Sequence, residues 1–382
     1  MTTINSFAEF NLRLREFICR HALDNLADEF NFNELALNLF ALQFESVGPY
    51  KNFCQGRNVS PKTISNWSEI PAVPTSAFKD LEISSLPREE RTHVFHSSGT
   101  TGQKPSCHFH NAESLSIYEA SLLPWFQKNF LGDPDALCKK EIIGIREKPV
   151  CIFLTPNPKA APNSSLVHMF ETVRKEFGSL DSFFAGKVAN DKSWLLEIDP
   201  IISGLRESIS ADRPAAILGT AFSFVHLLDH FAENNIYYKL APGSRVLETG
   251  GYKGWSREIP KSELHSLISK HLGIPASHII CEYSMSELSS QAYAGTQNSK
   301  FKTQKFFQFP PWTRAQIISP ETGKEVAENE TGLIRIFDLA NVRSVLAVQT
   351  EDLGISRGHG FELIGRAALA ESRGCSLMAA HI

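Results

Sequence analysis

The middle of the chain repeats one pattern, in which a short apolar strand leads to a loop of glycine and hydroxyl residues and then to a segment with helical apolar spacing. The strand-and-loop parts start at residues 148, 215, 244 and 278 and read KPVCIFLTPNPKAAPNSS, AAILGTAFS, SRVLETGGYKGWS and HIICEYSMSE. The segments LVHMFETVRKEFG, FVHLLDHFAENN, SELHSLISKHLG and LSSQAYA follow them as the predicted helices. Strands that alternate with helices predict an α/β fold with a parallel sheet and crossover helices.

Loops that follow parallel strands gather at the carboxyl edge of the sheet, where ligands bind. The segments HSSGTTG, NSS, GTAFS, TGGYKG and YSMSE are therefore predicted to line one crevice. The uncharged run 214–228 is shorter than the roughly 18–20 residues that a membrane span requires, and we interpret it as a buried strand that continues into a helix. The amphipathic start of the chain does not resemble a signal peptide.

The net charge of −4 and the pI of about 6.4 disfavour nucleic acid and anionic membranes as partners. The apolar fraction of 42% and the charged fraction of 21% are typical of a soluble globular protein. The seven cysteines are scattered and form no CxxC pair, so they indicate neither a disulfide framework nor a zinc site. We therefore predict a cytoplasmic protein without a membrane span.

The two ends of the chain differ from the middle. Residues 5–55 have helical apolar spacing, and IPAVPTSAFKD (70–80) contains too many prolines for a regular element. After residue 308 the run TRAQIISPETGKEVAENETGLIRIFDL predicts a hairpin and hence a small β subdomain. We predict N-terminal helices and αβα subdomains over 1–307, the small β subdomain over 308–355 and a hinge-like tail over 356–382.

The loop HSSGTTGQKPS (96–106) contains nothing that could fill a core. Its hydroxyl and glycine residues are Ser97, Ser98, Gly99, Thr100, Thr101 and Gly102. Glycines let backbone N–H groups converge on an anion, hydroxyls add movable donors, and Lys104 adds a positive charge, so the loop suits a polyphosphate. It is neither a Walker P-loop nor a nucleophile elbow. On these residues alone, an ordinary surface turn stays an alternative.

Three motifs in order resemble those of adenylate-forming enzymes, which include acyl-CoA synthetases, luciferases and adenylation domains of peptide synthetases. SSGTTGxxK resembles their phosphate loop, YSMSE (283–287) their Tyr-Gly-x-Thr-Glu and TEDLG (350–354) their Thr-Gly-Asp-Leu-Gly, while IGRAALAESRG resembles their hinge. The resemblance implies ATP and Mg²⁺ as cofactors and an adenylate-forming N-terminal-type domain as the fold. The residues that it implicates are Tyr283 beside the adenine, Ser286 at the α-phosphate, Glu287 on Mg²⁺, Asp352 on the ribose and Arg366 in the hinge.

A narrower resemblance covers the chain from about residue 70 to its end. IPAVPTSAFK, HSSGTTG, APNSSLVHMF, TGGYKG and GFELIGRAALAESRGCSL together resemble the LuxE type of acyl-protein synthetase. This resemblance implies activation of a small-molecule carboxylic acid, namely a fatty acid. It also implies that Cys375 accepts the acyl group as a thioester for a reductase or another acceptor. Only seven residues follow Cys375, so the C-terminal lid domain of larger relatives is expected to be absent, and Lys104 precedes Pro105 where those relatives have Pro-Lys.

Other patterns have two interpretations. The loop at Gly250, Gly251 and Lys253 is predicted either to contact the nucleotide or acyl group or to form a tight turn. CHFHN (107–111) is predicted to be a strand face and not a metal site, and the 27 phenylalanines are predicted mainly to fill the core. Two rival functions stay open, namely a ligase that acylates coenzyme A or an acyl carrier protein, with Cys375 structural, and a non-catalytic nucleotide-binding subunit of a reductase complex.

Overall fold

A computed structural model describes residues 4–22, 28–97, 104–132, 148–191, 193–251, 256–295 and 306–367. Its α-helices are α1 (Phe7–His21), α2 (Glu29–Ser46), α3 (Gly48–Gln55), α4 (Ala77–Asp80), α5 (Ala112–Phe126), α6 (Ser165–Phe177), α7 (Ile198–Ser210), α8 (Ala221–Glu233) and α9 (Lys261–Leu272). Its strands are β1 (Val73–Pro74), β2 (His93–His96), β3 (Cys107–His110), β4 (Val150–Pro156), β5 (Phe183–Val188), β6 (Trp194–Leu196), β7 (Ala215–Thr220), β8 (Arg245–Thr249), β9 (Ile279–Tyr283), β10 (Ala292–Ala294), β11 (Thr313–Ile318), β12 (Thr331–Asp338), β13 (Ala347–Arg357) and β14 (Gly360–Arg366). Short 3₁₀ turns lie at Trp67–Glu69, Arg88–Glu90 and Ala276–His278, and a π-helical turn at Gln127–Leu131.

The chain forms two compact units. The first unit comprises Met1–Pro124, Met285–Ala292 and Phe306–Ile382, and the second comprises Trp125–Ser284 and Tyr293–Lys305. Each unit therefore uses segments that are far apart in the sequence. The domain boundaries drawn from the sequence stay a prediction.

The first unit contains the N-terminal helices and a mixed sheet. The predicted helical spacing of residues 5–55 is confirmed by α1, α2 and α3, whose buried residues recur on one face, as Phe10, Leu14 and Phe17 do in α1. The sheet has the order β1–β13–β12–β11, with β14 paired to β13. The predicted hairpin is confirmed by the antiparallel β11–β12 pair, in which Thr313 lies opposite Asp338.

The second unit is built on a sheet of order β10–β9–β8–β7–β4–β5–β6. Strands β5, β4, β7, β8 and β9 run parallel, as the repeated pattern predicts, and antiparallel β6 covers the edge beside β5. Every residue of β4, β7 and β9 is buried, which is typical of parallel strands covered on both faces. The α/β fold class is thereby confirmed.

Some hydroxyls in the loops of this sheet are explained by helix capping. The Ser164 side chain accepts a hydrogen bond from the Val167 N–H at the start of α6, and the Thr220 side chain accepts one from the Ser223 N–H at the start of α8. Caps of this kind stabilise a helix by about 1 kcal/mol. These two hydroxyls therefore have a structural role in starting the helix that follows each strand.

Two local predictions are wrong. LSSQAYA does not form a helix, because residues 288–291 lack regular structure and Ala292–Ala294 form β10. The tertiary environment here overrides a weak and short apolar spacing. The proline-rich segment 70–80 does contain regular elements, since β1 pairs with β13 in parallel through Val73 and Val348 and α4 follows directly. Among the described helices, none is both long and apolar enough to cross a bilayer.

Candidate active site

A two-stranded hairpin in the first unit carries the described ends of the hydroxyl-and-glycine segment, which are Ser97 and residues 104–106. Strands β2 and β3 are antiparallel, and His96 pairs with Cys107 at the point where the loop leaves and returns. The Ser97 N–H donates to the Ser106 carbonyl at 3.3 Å, and the Ser106 N–H donates to Ser97 Oγ at 2.9 Å.

Glu287 lies beside Ser106, at the end of this loop, and is only 6% exposed. Ser106 Oγ donates to Glu287 Oε1 at 2.5 Å, and Ser286 Oγ donates to Oε2 at 2.9 Å. No salt bridge joins this carboxylate to a cation among the residues that the structure describes. A buried carboxylate held only by neutral donors keeps oxygen lone pairs and an uncompensated charge, which suits a hard cation such as Mg²⁺.

The backbone on either side of the Glu287 side chain is held by two buried polar residues. His108 Nδ1 lies 2.8 Å from the Ser286 carbonyl, and Asn341 Nδ2 donates to the Glu287 carbonyl at 2.9 Å. Because a carbonyl oxygen only accepts, His108 must carry its proton on Nδ1. Burial lowers the pKa of His108 to about 4, so the ring is neutral at neutral pH and adds no positive charge beside Glu287.

Asp338 holds the segment that follows Glu287. Its Oδ2 accepts from the Ser289 N–H at 2.9 Å, and its Oδ1 accepts from Ser290 Oγ at 2.7 Å and from the Ala340 N–H at 3.0 Å. Burial raises the pKa of Asp338 above its ordinary value, although these hydrogen bonds lower it in part. The loop after β12 is therefore fastened to the loop that carries Glu287.

This polar network continues into the interior of the first unit. The Trp312 indole N–H donates to Ser121 Oγ at 2.7 Å, and Ser121 Oγ lies 2.9 Å from Ser290 Oγ. Both hydroxyls are fully buried, and so is the indole ring. Buried polar networks of this kind specify one arrangement of the chain, because each broken link leaves an unsatisfied group.

Asp352 and Arg366, which separate motifs implicate, are neighbours in the first unit. Their strands pair with Asp352 directly opposite Arg366, and Arg366 Nε lies 3.6 Å from Asp352 Oδ1. The Arg366 side chain is 79% exposed and that of Asp352 is 17% exposed. Because the Arg366 guanidinium is largely in solvent and lies 3.6 Å from the carboxylate, this ion pair contributes little stability, and Arg366 can leave Asp352 at small cost.

Gly250, Gly251 and Tyr283 lie at the carboxyl edge of the sheet in the second unit. The Thr249–Glu282 register brings the ends of β8 and β9 side by side, so the glycines follow one strand and Tyr283 ends the next. Gly250 has φ +67°, a conformation that favours glycine. A Cβ added at Gly251 would meet no described atom within 4 Å, so the backbone there is accessible from that side.

A buried carboxyl group joins the ends of these two strands. Thr249 Oγ1 donates to Glu282 Oε2, and burial raises the pKa of Glu282 to about 7. The charge of nearby Glu248 also raises this pKa. Glu282 could not be identified from the sequence, because a single acidic residue in an apolar strand does not show which groups it faces.

Several predicted site residues fall outside the described residues, namely Ser98, Gly99, Thr100, Thr101, Gly102, Lys253 and Cys375. Lys104 is described and exposed on the return arm of the hairpin. The crevice predicted to contain all five loops stays a prediction, as do the individual roles of the site residues.

The structure adds residues that sequence reasoning missed around Glu287, namely Ser106, His108, Asp338 and Asn341. The alternation in CHFHN correctly predicted a strand, with His108 and His110 buried on one face of β3. The same pattern could not show that His108 faces the Ser286 carbonyl, because the two residues are 178 positions apart.

Comparison with known proteins identifies the family of this chain. A family model described as the acyl-protein synthetase LuxE matches residues 22–381. The long-chain-fatty-acid--luciferin-component ligase of Aliivibrio fischeri is 23% identical over 363 residues, which cover 92% of this chain and 88% of that protein. The protein of the same name from Vibrio harveyi is 21% identical over 357 residues, which cover 90% and 86%.

Solved structures show the same fold. A 2-hydroxyisobutyryl-CoA ligase in the postadenylation state, in complex with 2-HIB-AMP, superposes with a TM-score of 0.65 at 12% identity, over 91% of this chain and 69% of that one. The same ligase with 2-HIB-AMP and CoA in its thioesterification state gives a TM-score of 0.63 at 13% identity, over 91% and 70%. The fold is thus that of adenylate-forming ligases. Because the family model spans nearly the whole sequence, the chain is a ligase that belongs to the LuxE family of acyl-protein synthetases.

Proposed function

We propose that this chain activates a carboxylic acid with ATP to form an acyl-adenylate and then carries the acyl group as a thioester on Cys375. The observation that supports the first half best is the buried Glu287 carboxylate, which accepts hydrogen bonds from two hydroxyls and has no cationic side chain paired with it among the described residues. Membership of the acyl-protein synthetase family supports the second half. A fatty acid is the proposed substrate because the two relatives carry the name of a long-chain fatty acid ligase.

In the first step, a carboxylate oxygen of the acid bonds to the α-phosphorus of ATP, and the bond from this phosphorus to the pyrophosphate oxygen breaks. The pyrophosphate leaves with the bonding electrons. The N–H groups and hydroxyls of Ser97 to Gly102, with the charge of Lys104, would stabilise the departing phosphates, and Ser286 would contact the α-phosphate. When bound, Mg²⁺ would neutralise phosphate charge, and the Glu287 carboxylate would be its protein ligand.

The nucleoside would be held by residues that fix its position during this step. We assign Asp352 to the ribose hydroxyls, because its carboxylate can accept from them, and the largely exposed Arg366 of the hinge segment offers a donor beside it. Tyr283 would lie beside the adenine, with the bare backbone of Gly250 and Gly251 as close neighbours of the ligand. Such positioning lowers the entropic part of the barrier.

In the second step, the Cys375 thiolate attacks the acyl carbonyl carbon, and the bond from this carbon to the AMP phosphate oxygen breaks. The products are AMP and a protein thioester. Thiolates attack activated acyl groups well, because sulfur is a strong nucleophile near neutral pH. A reductase or another acyl acceptor would then take the acyl group from Cys375.

The first half is tested by acid-dependent exchange between ATP and labelled pyrophosphate, with fatty acids of graded chain length. We expect Glu287→Gln to reduce exchange by about 100-fold or more, because a charged group that stabilises the transition state is removed. Glu321→Gln is the matched control, since Glu321 is exposed, and it should exchange like the unaltered protein. Undiminished exchange in Glu287→Gln would remove this residue from the mechanism. ATP binding without exchange for any acid would instead favour a non-catalytic subunit.

The second half is tested with labelled fatty acid, ATP and detection of label on the protein. Cys375→Ser should lose the thioester label and retain pyrophosphate exchange, whereas Cys19→Ser, which alters an exposed cysteine, should keep both. A thiol-labile label that persists in Cys375→Ser would move the carrier role to another residue. Release of a soluble acyl thioester of coenzyme A, with no labelled protein, would favour the ligase alternative.

A further inference from the structure

Three side chains with metal-binding atoms converge inside the second unit. Glu248 on β8 and Cys281 on β9 are cross-strand neighbours, and His265 lies in the second turn of α9, which packs over the same face of the sheet. Cys281 Sγ lies 3.3 Å from Glu248 Oε2 and 3.7 Å from His265 Nε2, and His265 Nε2 lies 3.6 Å from the same Glu248 oxygen. Among the described residues, this is the group of such side chains close enough to share one ion.

The three separations match the edges of a zinc coordination tetrahedron. With Zn–S of about 2.3 Å, Zn–N of about 2.0 Å and Zn–O of about 2.0 Å, tetrahedral angles place ligand atoms about 3.3–3.5 Å apart. The observed range of 3.3 to 3.7 Å therefore allows one ion to bond to all three atoms with little movement of the backbone.

The hydrogen bonding of Glu248 indicates that a partner is missing from this cluster. Its side chain is 0% exposed, and its Oε1 accepts no hydrogen bond in the part of the chain that the structure describes. Lys261 Nζ lies 3.5 Å from the other oxygen, Oε2, and the Lys261 side chain is 49% exposed. The ion pair with Lys261 thus explains only one of the two buried oxygens, and an unpaired buried oxygen is costly.

We propose that Glu248, His265 and Cys281 bind one Zn²⁺ ion, with water in the fourth position. A thiolate and an imidazole select zinc over Mg²⁺ or Ca²⁺, which prefer oxygen ligands. On binding, the Cys281 thiol loses its proton to solvent, and the charges of the ion, the thiolate and the carboxylate sum to zero. A neutral buried site avoids the large cost of burying net charge. Lys261, which is half-exposed, moves towards water.

This zinc site would join β8, β9 and α9. Strand β8 ends at Thr249, directly before Gly250, and β9 ends at Tyr283, so the ion would stiffen the carboxyl edge of the sheet. Structural metal sites contribute directly to the free energy of folding. The site does not depend on the proposed function, because its ligands take no part in the steps assigned above.

Zinc binding is tested on the full chain after treatment with a chelator, by competition with a chromophoric zinc indicator. The unaltered protein should bind one equivalent and release about one proton per ion, the latter measured by calorimetry in buffers of different ionisation enthalpy. Because losing an outer-shell partner costs roughly 10- to 100-fold in affinity, Cys281→Ser and His265→Gln should each weaken binding by about 100-fold or more. Zinc should raise the melting temperature of the unaltered protein and not of these variants.

Two further variants keep the test decisive if a ligand variant folds poorly. Cys107→Ser removes a half-buried thiol in the first unit and should bind zinc as tightly as the unaltered protein. Lys261→Gln removes the competing cation and should bind zinc more tightly. Cobalt should give a thiolate-to-metal charge-transfer band that Cys281→Ser abolishes. Absence of stoichiometric binding, or binding that survives both ligand substitutions, would overturn the proposal.

Discussion

Two buried glutamates, one in each unit, have contrasting surroundings. Glu287 is held by the hydroxyls of Ser106 and Ser286. Glu248 lies within 3.6 Å of a thiol, an imidazole and an ammonium group. Both carboxylates are withdrawn from water, so each needs compensation for its charge. The difference shows that the neighbours, and not burial alone, decide which cation a carboxylate is suited to bind.

In the proposed function, the neutral donors around Glu287 leave its charge for a hard cation that arrives with a substrate. The sulfur and nitrogen atoms around Glu248 suit a softer ion that stays with the protein. The two proposals therefore assign turnover to the first site and stability to the second. The predictions below test them, from the largest expected effect to the smallest.

The first prediction compares two properties, pyrophosphate exchange and zinc binding, in one variant of each site. Glu287→Gln should reduce pyrophosphate exchange by about 100-fold or more and bind one equivalent of zinc unchanged. Cys281→Ser should lose zinc binding and keep exchange within about tenfold, because a stabilising ligand lies outside the chemical steps. If each substitution abolished both properties, the two sites would not be separable and the comparison would fail.

The second prediction concerns Asp338, which fastens the loop after Glu287. Asp338→Asn should lower the free energy of unfolding by about 2–3 kcal/mol, because one amide oxygen cannot accept from both the Ser289 and Ala340 N–H groups. Denaturant unfolding measures this change. Asp80→Asn is the exposed control, with an expected change within about 0.5 kcal/mol. Equal stability of the two variants would show that the network does not hold this loop.

The third prediction uses pH to test the neutral surroundings of Glu287. The pKa of His108 is about 4 in the folded chain, against an ordinary value of 6.5. Between these two pH values the imidazole of the unfolded chain binds a proton, whereas that of the folded chain stays neutral. The free energy of unfolding is therefore at its full value above the ordinary pKa and decreases as the pH falls towards about 4. Between about pH 7 and about pH 5 the loss should be about 2 kcal/mol.

The variant His108→Asn isolates this effect, because Asn can donate to the Ser286 carbonyl but does not titrate. Its free energy of unfolding, measured by denaturant titration at both pH values, should lack the part of the pH dependence that His108 causes. An unaltered pH dependence in His108→Asn would mean that His108 accepts a proton in the folded chain.

The fourth prediction concerns Asp352 and Arg366, which contrast with both glutamates because the Arg366 side chain is largely exposed. Arg366→Gln should change the free energy of unfolding by less than about 1 kcal/mol. It should nevertheless raise the KM for ATP by about tenfold if the guanidinium donates to the nucleotide. Exchange kinetics over a range of ATP concentrations measure this effect, and an unchanged KM would contradict the nucleotide assignment.

Much of the fold follows from local patterns in the sequence. The strands β4, β7, β8 and β9 are short apolar runs that end at turn residues, and the helices α6 and α8 begin at residues that cap them through their own side chains. LSSQAYA was predicted wrongly because its apolar residues are too few to distinguish a helix from the strand β10.

The motif residues were found because their types occur together at short spacing, as in YSMSE, and Asp352 and Arg366 are brought together by the simple pairing of β13 with β14. The residues that support Glu287 could not be found in this way. Ser106 is 181 positions from Glu287, and Asn341 is 54 positions from it. No local pattern specifies which of the many serines and asparagines in the chain makes these contacts.

The sequence by itself determined the alternation of strands and helices, the helix starts and the family motifs, because these depend on hydrogen bonds and apolar spacing within a few residues. Only the tertiary structure decided that a serine pair holds Glu287 and that Glu248, His265 and Cys281 meet. Strand register places Glu248 beside Cys281, and the packing of α9 brings His265 to them. Such meetings depend on how distant segments pack, since the side chains that bind one ion must approach within a few ångströms in space whatever their separation along the chain.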